Sequence, residues 1–529
     1  MRQAIHPFNH EPAAPNSAAE NGRSLAISVA SLVALGSASA WLYYWGGDLH
    51  RFIQWIAAYI GLFIGQFAIY LAACYVVFRF SDRLSRAATL AIVAIILVFA
   101  AAFRAQLVGK KPFLSTDTYR YIWDGRVQAA GINPYRHIPS APELAYLRED
   151  KIYPQINRGD YEGTPYPPIA QAVYLLVYLA HPLSVTAFKV AMLLFDMIAA
   201  IAIMIALARS GMNPARAIVF AWHPLLIFEG AHSGYVESVF IAFLALAVLA
   251  WSYKKPALTG IALALATLVK FYPALLLPVF IMVKPAREGR LARELEEASQ
   301  AALPAGKLSR LAIPAVDNTT AQAGETERRI YWSSALRSAL LDKNNLALLA
   351  AFVATIIIAY LPYLGVGSGV FGSLPGEVKE EGFTGSGTRY FLLGVLRKLA
   401  PVPTVAFLCL AGCALLAMGI WRVFKTKRSA MDIASGSVAL IGLYLFLTTP
   451  RYPWYYAWII PFLCFVPGAG WLYLTGASVL LYLLWYTPLV YPDLPFWLGA
   501  VIYIPTIMML VYQYWIKRRR AEDRLAVQG

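Results

Sequence analysis

Apolar residues occupy this chain in long blocks separated by short polar segments, with little of the alternation that marks half-buried strands. A helix needs about 20 mostly apolar residues to cross a bilayer. The blocks predict helices at roughly 25–46, 52–78, 87–106, 184–208, 216–231, 234–252, 256–270, 271–283, 345–364, 402–421, 432–449, 454–467, 470–489 and 495–516. Several later blocks are short, and Lys270-Phe271-Tyr272-Pro273 interrupts the pair at 256–283. The first block contains Ala38-Ser39-Ala40, which resembles a signal-peptidase site. The apolar run continues past it, so the segment reads as a transmembrane helix. The pattern predicts an all-α polytopic membrane protein with about 12–14 transmembrane helices.

Charge fixes an expected orientation. Basic residues cluster between the blocks, at Arg79/Arg83/Arg86, Lys254/Lys255, Arg422/Lys425/Lys427/Arg428 and Lys517/Arg518/Arg519/Arg520. This is the positive-inside pattern of cytoplasmic loops. It divides the chain into a disordered cytoplasmic N-terminus (1–23), N-terminal spans (24–106) and an extracytoplasmic loop (107–183). Further spans (184–283), a cytoplasmic polar insert (284–343), C-terminal spans (344–516) with an outer loop (365–400), and a basic cytoplasmic tail (517–529) follow. A span at 167–182 would break the parity, so that run is expected to lie as a juxtamembrane helix at the interface. The insert shifts to Arg, Glu, Ala and Gln and reads as a solvated segment.

Composition agrees: 59% of the 529 residues are hydrophobic and 14% charged, far from the balance of a water-soluble domain. The net charge of +16 belongs to the loop clusters, which argues against nucleic acid as a partner. The four cysteines, Cys74, Cys409, Cys413 and Cys464, all sit in apolar blocks, so neither a disulfide nor a zinc framework is expected. No internal repeat of the transporter kind is visible.

The most informative polar segment runs from Asp117 to Gly131. Ser115, Thr116 or Asp117 is placed to cap a helix and Gly131 to end it. At about 100° per residue, Asp117, Tyr121, Asp124 and Gln128 share a face opposite Tyr119, Ile122, Trp123 and Ala130. An amphipathic helix should therefore aim two carboxylates, a phenol and an amide at a cavity. The bland alternative makes Asp117 a cap and Asp124 the i,i+4 partner of Arg120. The helix is followed by Gly131-Ile132-Asn133-Pro134-Tyr135, Tyr153-Pro154 and Tyr166-Pro167-Pro168, a loop dense in aromatics and fixed turns, the kind that carries binding residues.

These motifs resemble the first outer loop of the GT-C superfamily of membrane glycosyltransferases. The nearest likeness is to family 87 and to the polyprenol-phosphomannose-dependent mannosyltransferases of mycobacterial lipoglycan synthesis. The resemblance continues through Trp222-His223-Pro224, Glu229 to His232, Ala266 with Lys270-Phe271-Tyr272-Pro273, and Pro450 with Tyr452, Trp454 and Tyr455. It implies a GT-C-like bundle in a bacterial-type cytoplasmic (inner) membrane, with its active site on the extracytoplasmic side. It also implies transfer of one sugar, most simply mannose, from a polyprenyl-phosphate donor to a glycolipid or glycan acceptor, with inversion. In that superfamily an acidic residue of the first outer loop is the general base, and Asp117 is the matching position. Metal-using members carry Asp-x-Asp there. This chain has Asp117-Thr118-Tyr119, which implies a metal-independent reaction with no cofactor.

Such a transfer needs a base for the acceptor proton and cations for the departing phosphate. Asp117 is the expected base, with Asp124 as runner-up. Arg120, Tyr121, Asp124, Asn133, Tyr135, Tyr166, Glu229, His232 and Tyr455 are candidate substrate-binding residues. Lys270, Arg389 and Arg451 are the candidate phosphate ligands, although each also fits a cation snorkelling to the headgroups. Tyr452, Trp454 and Tyr455 suit either sugar stacking or an interfacial aromatic belt. Glu229 and His232 are i,i+3, a spacing open to a metal but lacking a third convincing ligand. A lipid-linked-glycan transporter or flippase is the main alternative, and a glycan polymerase or ligase a further one.

Overall fold

The computed structural model describes residues 15–49, 55–80, 84–282, 342–372, 390–425, 429–485 and 494–528. All regular structure among them is helical. The principal helices are α1 (Pro15–Gly46), α2 (Trp55–Phe80), α3 (Arg86–Val108), α4 (Asp117–Ala129), α5 (Pro168–Ala180), α6 (Val185–Arg209) and α7 (Glu237–Ser252). They are followed by α8 (Pro256–Thr267), α9 (Lys343–Tyr360), α10 (Thr404–Phe424), α11 (Ala430–Thr448), α12 (Ala469–Ala477) and α13 (Phe496–Gln528). Among the described residues eight helices are long and apolar enough to cross a membrane, namely α1, α2, α3, α6, α9, α10, α11 and α13. Four shorter apolar helices, at Pro168–Ala180, Glu237–Ser252, Pro256–Thr267 and Ala469–Leu484, complete the polytopic bundle.

Two expectations need correcting at the edges. The helix α1 begins at Pro15, inside the stretch expected to be disordered. The blocks at 216–231, 271–283, 454–467 and 470–489 are not single α-helices. The first is a chain of short turns, Pro214–Ala217, Ile218–Ala221 and Pro224–Leu226, ending in a π-helical turn at Ile227–His232. His223 precedes a proline and takes an extended backbone, ψ 119°. Likewise Tyr272–Leu276, Pro453–Ile459 and Ser478–Trp485 are 3-10 turns, two of them opened by a proline.

A broken helix in an apolar bundle leaves backbone carbonyls that only protein can satisfy. The fold answers with buried side chains. Tyr70 donates to the Val219 carbonyl at 3.0 Å, and Arg104 donates to that of Ala221 at 2.8 Å. Asp196 on α6 holds Arg104 in place at 2.8 Å, both side chains being fully buried. At the C-terminal end of α3, Lys189 Nζ donates to the carbonyls of Leu107 at 2.7 Å and Lys110 at 2.6 Å. That cation satisfies the helix terminus and anchors the segment leading to α4.

Three helices run between two cavities. α7 starts beside Lys270 and ends at Ser252; α8 starts at Pro256 and returns to Thr267; α11 runs from Ala430 to Thr448. One cavity, of about 680 Å³, includes Lys270 and Thr448. The other, of about 640 Å³, includes Ser252, Pro256 and Ala430, with Arg209, Lys254 and Lys255 on its walls. The two cavities therefore lie at opposite ends of the bundle.

Candidate active site

The site is assembled on α4 and the loop that follows it. Thr116 precedes the helix without a side-chain cap, and the Asp117 amide instead donates to Ser115 Oγ at 3.0 Å. Asp117 is thus the first helical residue, not its cap. Its carboxylate sits at the positive end of the helix. The far end closes as expected: Gly131 has φ +77°, and the amides of Gly131 and Ile132 return to the carbonyls of Gln128 at 2.9 Å and Val127 at 3.1 Å. Thr118 Oγ1 donates to the Ser233 carbonyl at 2.5 Å, tying α4 to the end of the π-helical turn.

The polar face of α4 does not open wholly onto a cavity. α5 packs along it, and Gly125 permits the close approach, since a Cβ there would stand 2.5 Å from the Tyr174 carbonyl oxygen. Gln171 of α5 donates to Asp124 Oδ2 at 3.1 Å, while Gln128 donates to Gln171 Oε1 at 2.9 Å. Asp124 also accepts from Arg120 Nε at 3.0 Å, the i,i+4 pairing weighed as the bland alternative. Tyr121 is fully buried and stacks on Tyr174 with centroids 4.7 Å apart. Burial, together with nearby Tyr166 and Asp117, raises its phenol well above the usual range. Only Asp117 and Arg120 of this helix reach the cavity.

That cavity of about 680 Å³ is of a size that encloses small ligands. On the loop side stand Asp117, Arg120, Asn157, Arg158, Glu162 and Tyr166; on the bundle side stand Lys270, Tyr272, Tyr444, Tyr452, Trp454 and Tyr455. Asn157 donates to Asp117 Oδ1 at 2.6 Å. Lys270 pairs with Glu237 at the start of α7, and its ammonium lies 5.3 Å from the centre of the Tyr455 ring. Tyr452 and Trp454 stack 4.5 Å apart and 6° from parallel, and Trp454 rests on Tyr235 at 4.2 Å. Such faces suit the C–H surface of a sugar ring or an isoprenoid chain.

Of the candidates from sequence, Asp117, Arg120, Tyr166, Lys270 and Tyr455 meet in this one cavity. Others stand outside its walls. Asn133 donates to the Tyr363 carbonyl at 3.1 Å and caps the turn at Tyr135, whose hydroxyl donates to the Tyr166 carbonyl at 2.6 Å. These two residues shape the loop. Glu229 and His232 are buried in the bundle; Glu229 accepts from Tyr482 at 2.8 Å, and the His232 ring lies 4.2 Å from Phe113. Arg451 is half-buried between two lining residues, Pro450 and Tyr452, but is not itself in the wall. Arg389 lies outside the described residues. Among the described residues no three His, Cys, Asp or Glu side chains gather as metal ligands.

Sequence reading passed over Asn157, Arg158 and Glu162. They lie in the turn from Asn157 to Glu162, which carries no periodic signal, and only folding brings them to the cavity that Asp117 lines. Residues 24–286, which include α4, this turn and Lys270, match the model of the MptA_B family, described as alpha-(1->6)-mannopyranosyltransferase, N-terminal domain. No curated protein and no solved structure matches the chain.

Proposed function

Because the chain belongs through residues 24–286 to the MptA_B family of mannosyltransferases, we propose that it moves mannose from a polyprenyl-phosphate donor onto a glycan or glycolipid hydroxyl, forming an α-1,6 linkage. The observation that carries this reading is that Asp117 and Lys270 face one cavity with an aromatic wall.

The acceptor oxygen attacks the anomeric carbon as the bond from that carbon to the phosphate oxygen breaks. Asp117 takes the acceptor proton, and the polyprenyl phosphate departs with the bonding electron pair. Attack opposite the leaving group inverts the anomeric centre. The phosphate gains one negative charge in this step, so Lys270 stabilises the transition state more than the ground state. Asn157 fixes the carboxylate with one oxygen engaged, leaving the other to accept the proton. Tyr452, Trp454 and Tyr455 offer an apolar path for the prenyl chain, and Tyr166 a polar edge for the acceptor. No metal ion is assigned a role in this scheme.

The positive-inside distribution supports an outward-facing site: Arg209, Lys254 and Lys255 surround the opposite cavity. A cysteine introduced beside Asn133 should react with an impermeant thiol reagent from outside the membrane. Reaction only from the cytoplasm would reverse this orientation. The reaction itself is tested by supplying purified protein with polyprenyl-phosphomannose or with nucleotide-linked mannose. Transfer from the lipid-linked sugar alone is expected; transfer from the nucleotide sugar alone would refute the donor assignment.

A further inference from the structure

Among the described residues three cations line the cavity, and each is paired with a carboxylate. Arg120 holds Asp124 at 3.0 Å, Lys270 holds Glu237, and Arg158 holds Glu162 at 3.2 Å. An incoming phosphate must therefore share or displace a carboxylate. The three pairs differ in what displacement would cost. Asp124 and Glu237 are only 3% exposed, so parting either from its cation leaves a buried charge unpaired. Arg120 is further committed, because one of its terminal nitrogens donates to the Glu162 carbonyl at 3.1 Å. Arg158 and Glu162 are the most open pair, 28% and 11% exposed, and a released Glu162 carboxylate can turn to water.

The backbone adds a second argument. Arg158 has φ +55°, a left-handed conformation that a side chain with a Cβ rarely adopts. The Tyr161 and Glu162 amides donate to its carbonyl at 3.4 and 3.0 Å, closing a tight turn. That turn presents neighbouring side chains to the same cavity, Asn157 to Asp117 and Arg158 beside it. Strain of this kind persists where the surrounding structure holds a functional group in place.

We infer that Arg158 is the exchangeable phosphate ligand of the site, passing from Glu162 to the donor's phosphate when the lipid-linked sugar enters. This deepens the functional reading and rests on its polyprenyl-phosphate donor. The sugar-bearing phosphodiester carries one negative charge, and the released monoester up to two. A planar guanidinium grips two phosphate oxygens at once. Lys270 remains paired with Glu237 and supplies a point charge; Arg158 supplies the oriented fork.

The test is binding of farnesyl phosphate, with farnesol as the uncharged control, to the detergent-purified full chain carrying Arg158→Gln, Arg158→Lys or Glu162→Gln. Wild type should prefer the phosphate. Arg158→Gln should weaken phosphate binding by about 10-fold or more while leaving farnesol binding unchanged. Arg158→Lys should fall between the two, and Glu162→Gln should bind phosphate at least as tightly as wild type. Equal phosphate affinity in wild type and Arg158→Gln would overturn the role of Arg158 and leave the donor reading standing. Weaker binding in Glu162→Gln would overturn partner exchange. If wild type does not distinguish phosphate from alcohol, the donor reading fails and this inference with it.

Discussion

The Asn157 side-chain amide donates to Asp117 Oδ1 at 2.6 Å, joining a loop turn to the first residue of α4 across 40 residues of sequence. A hydrogen bond to a charged group contributes roughly 1.5–3 kcal/mol. Asn157→Ala should therefore slow transfer by about 10- to 100-fold with little change in the donor KM, since the base loses orientation while the donor pocket stays intact. Asn157→Asp sets two carboxylates against one another, so the acid limb of its rate profile should move to higher pH. Steady-state rates across pH check both variants.

Lys270 and Glu237 separate structural from catalytic effects. Lys270→Ala leaves Glu237 buried beside the cavity without its cation, a change that costs about 3–5 kcal/mol in other proteins. The double variant Lys270→Ala/Glu237→Gln should recover thermal stability in detergent while transfer stays depressed. If activity returned together with stability, Lys270 would be a structural cation only.

The Arg104–Asp196 pair lies deep in the bundle, away from the cavity. Asp196→Ala should destabilise the protein by about 3–5 kcal/mol, because Arg104 keeps its charge but loses its counterion. Residual folded protein should retain its donor KM. Thermal unfolding beside steady-state kinetics distinguishes the two effects.

Glu149 supplies the pH dependence. Burial pushes its carboxyl upward, but the backbone amides of Lys151, Tyr153 and Ile152 more than offset this and hold it below the usual carboxylate range. A lowered folded-state pKa means the ordering is present above the ordinary carboxylate range and is lost as pH falls through the lowered value. Glu149→Gln should raise hydrogen exchange at residues 151–153 near neutral pH, and acidification should do the same in wild type.

The membrane-crossing blocks are legible in the sequence because burial in lipid demands uninterrupted apolar composition, which a single chain records directly. The end of α4 is legible for a similar reason: Gly131 is a local signal for a left-handed residue. The interior of α4 is not. A helical wheel places Tyr121, Asp124 and Gln128 on one face, but it cannot say that Gln171 of α5 will cover that face. Nor does local pattern reveal that Trp222-His223-Pro224 falls within a string of short turns whose Val219 and Ala221 carbonyls depend on Tyr70 and Arg104. The pairings Asn157 with Asp117 and Lys270 with Glu237 join residues 40 and 33 positions apart, and neither leaves a mark in spacing.

The measurement that bears most directly on the account is mannose transfer from polyprenyl-phosphomannose by Asp117→Asn, with farnesyl phosphate binding measured on the same preparation. Loss of the general base should reduce the rate by about 100-fold or more while phosphate binding persists. Transfer at the wild-type rate by the Asn variant would remove Asp117 from the chemistry and contradict the account.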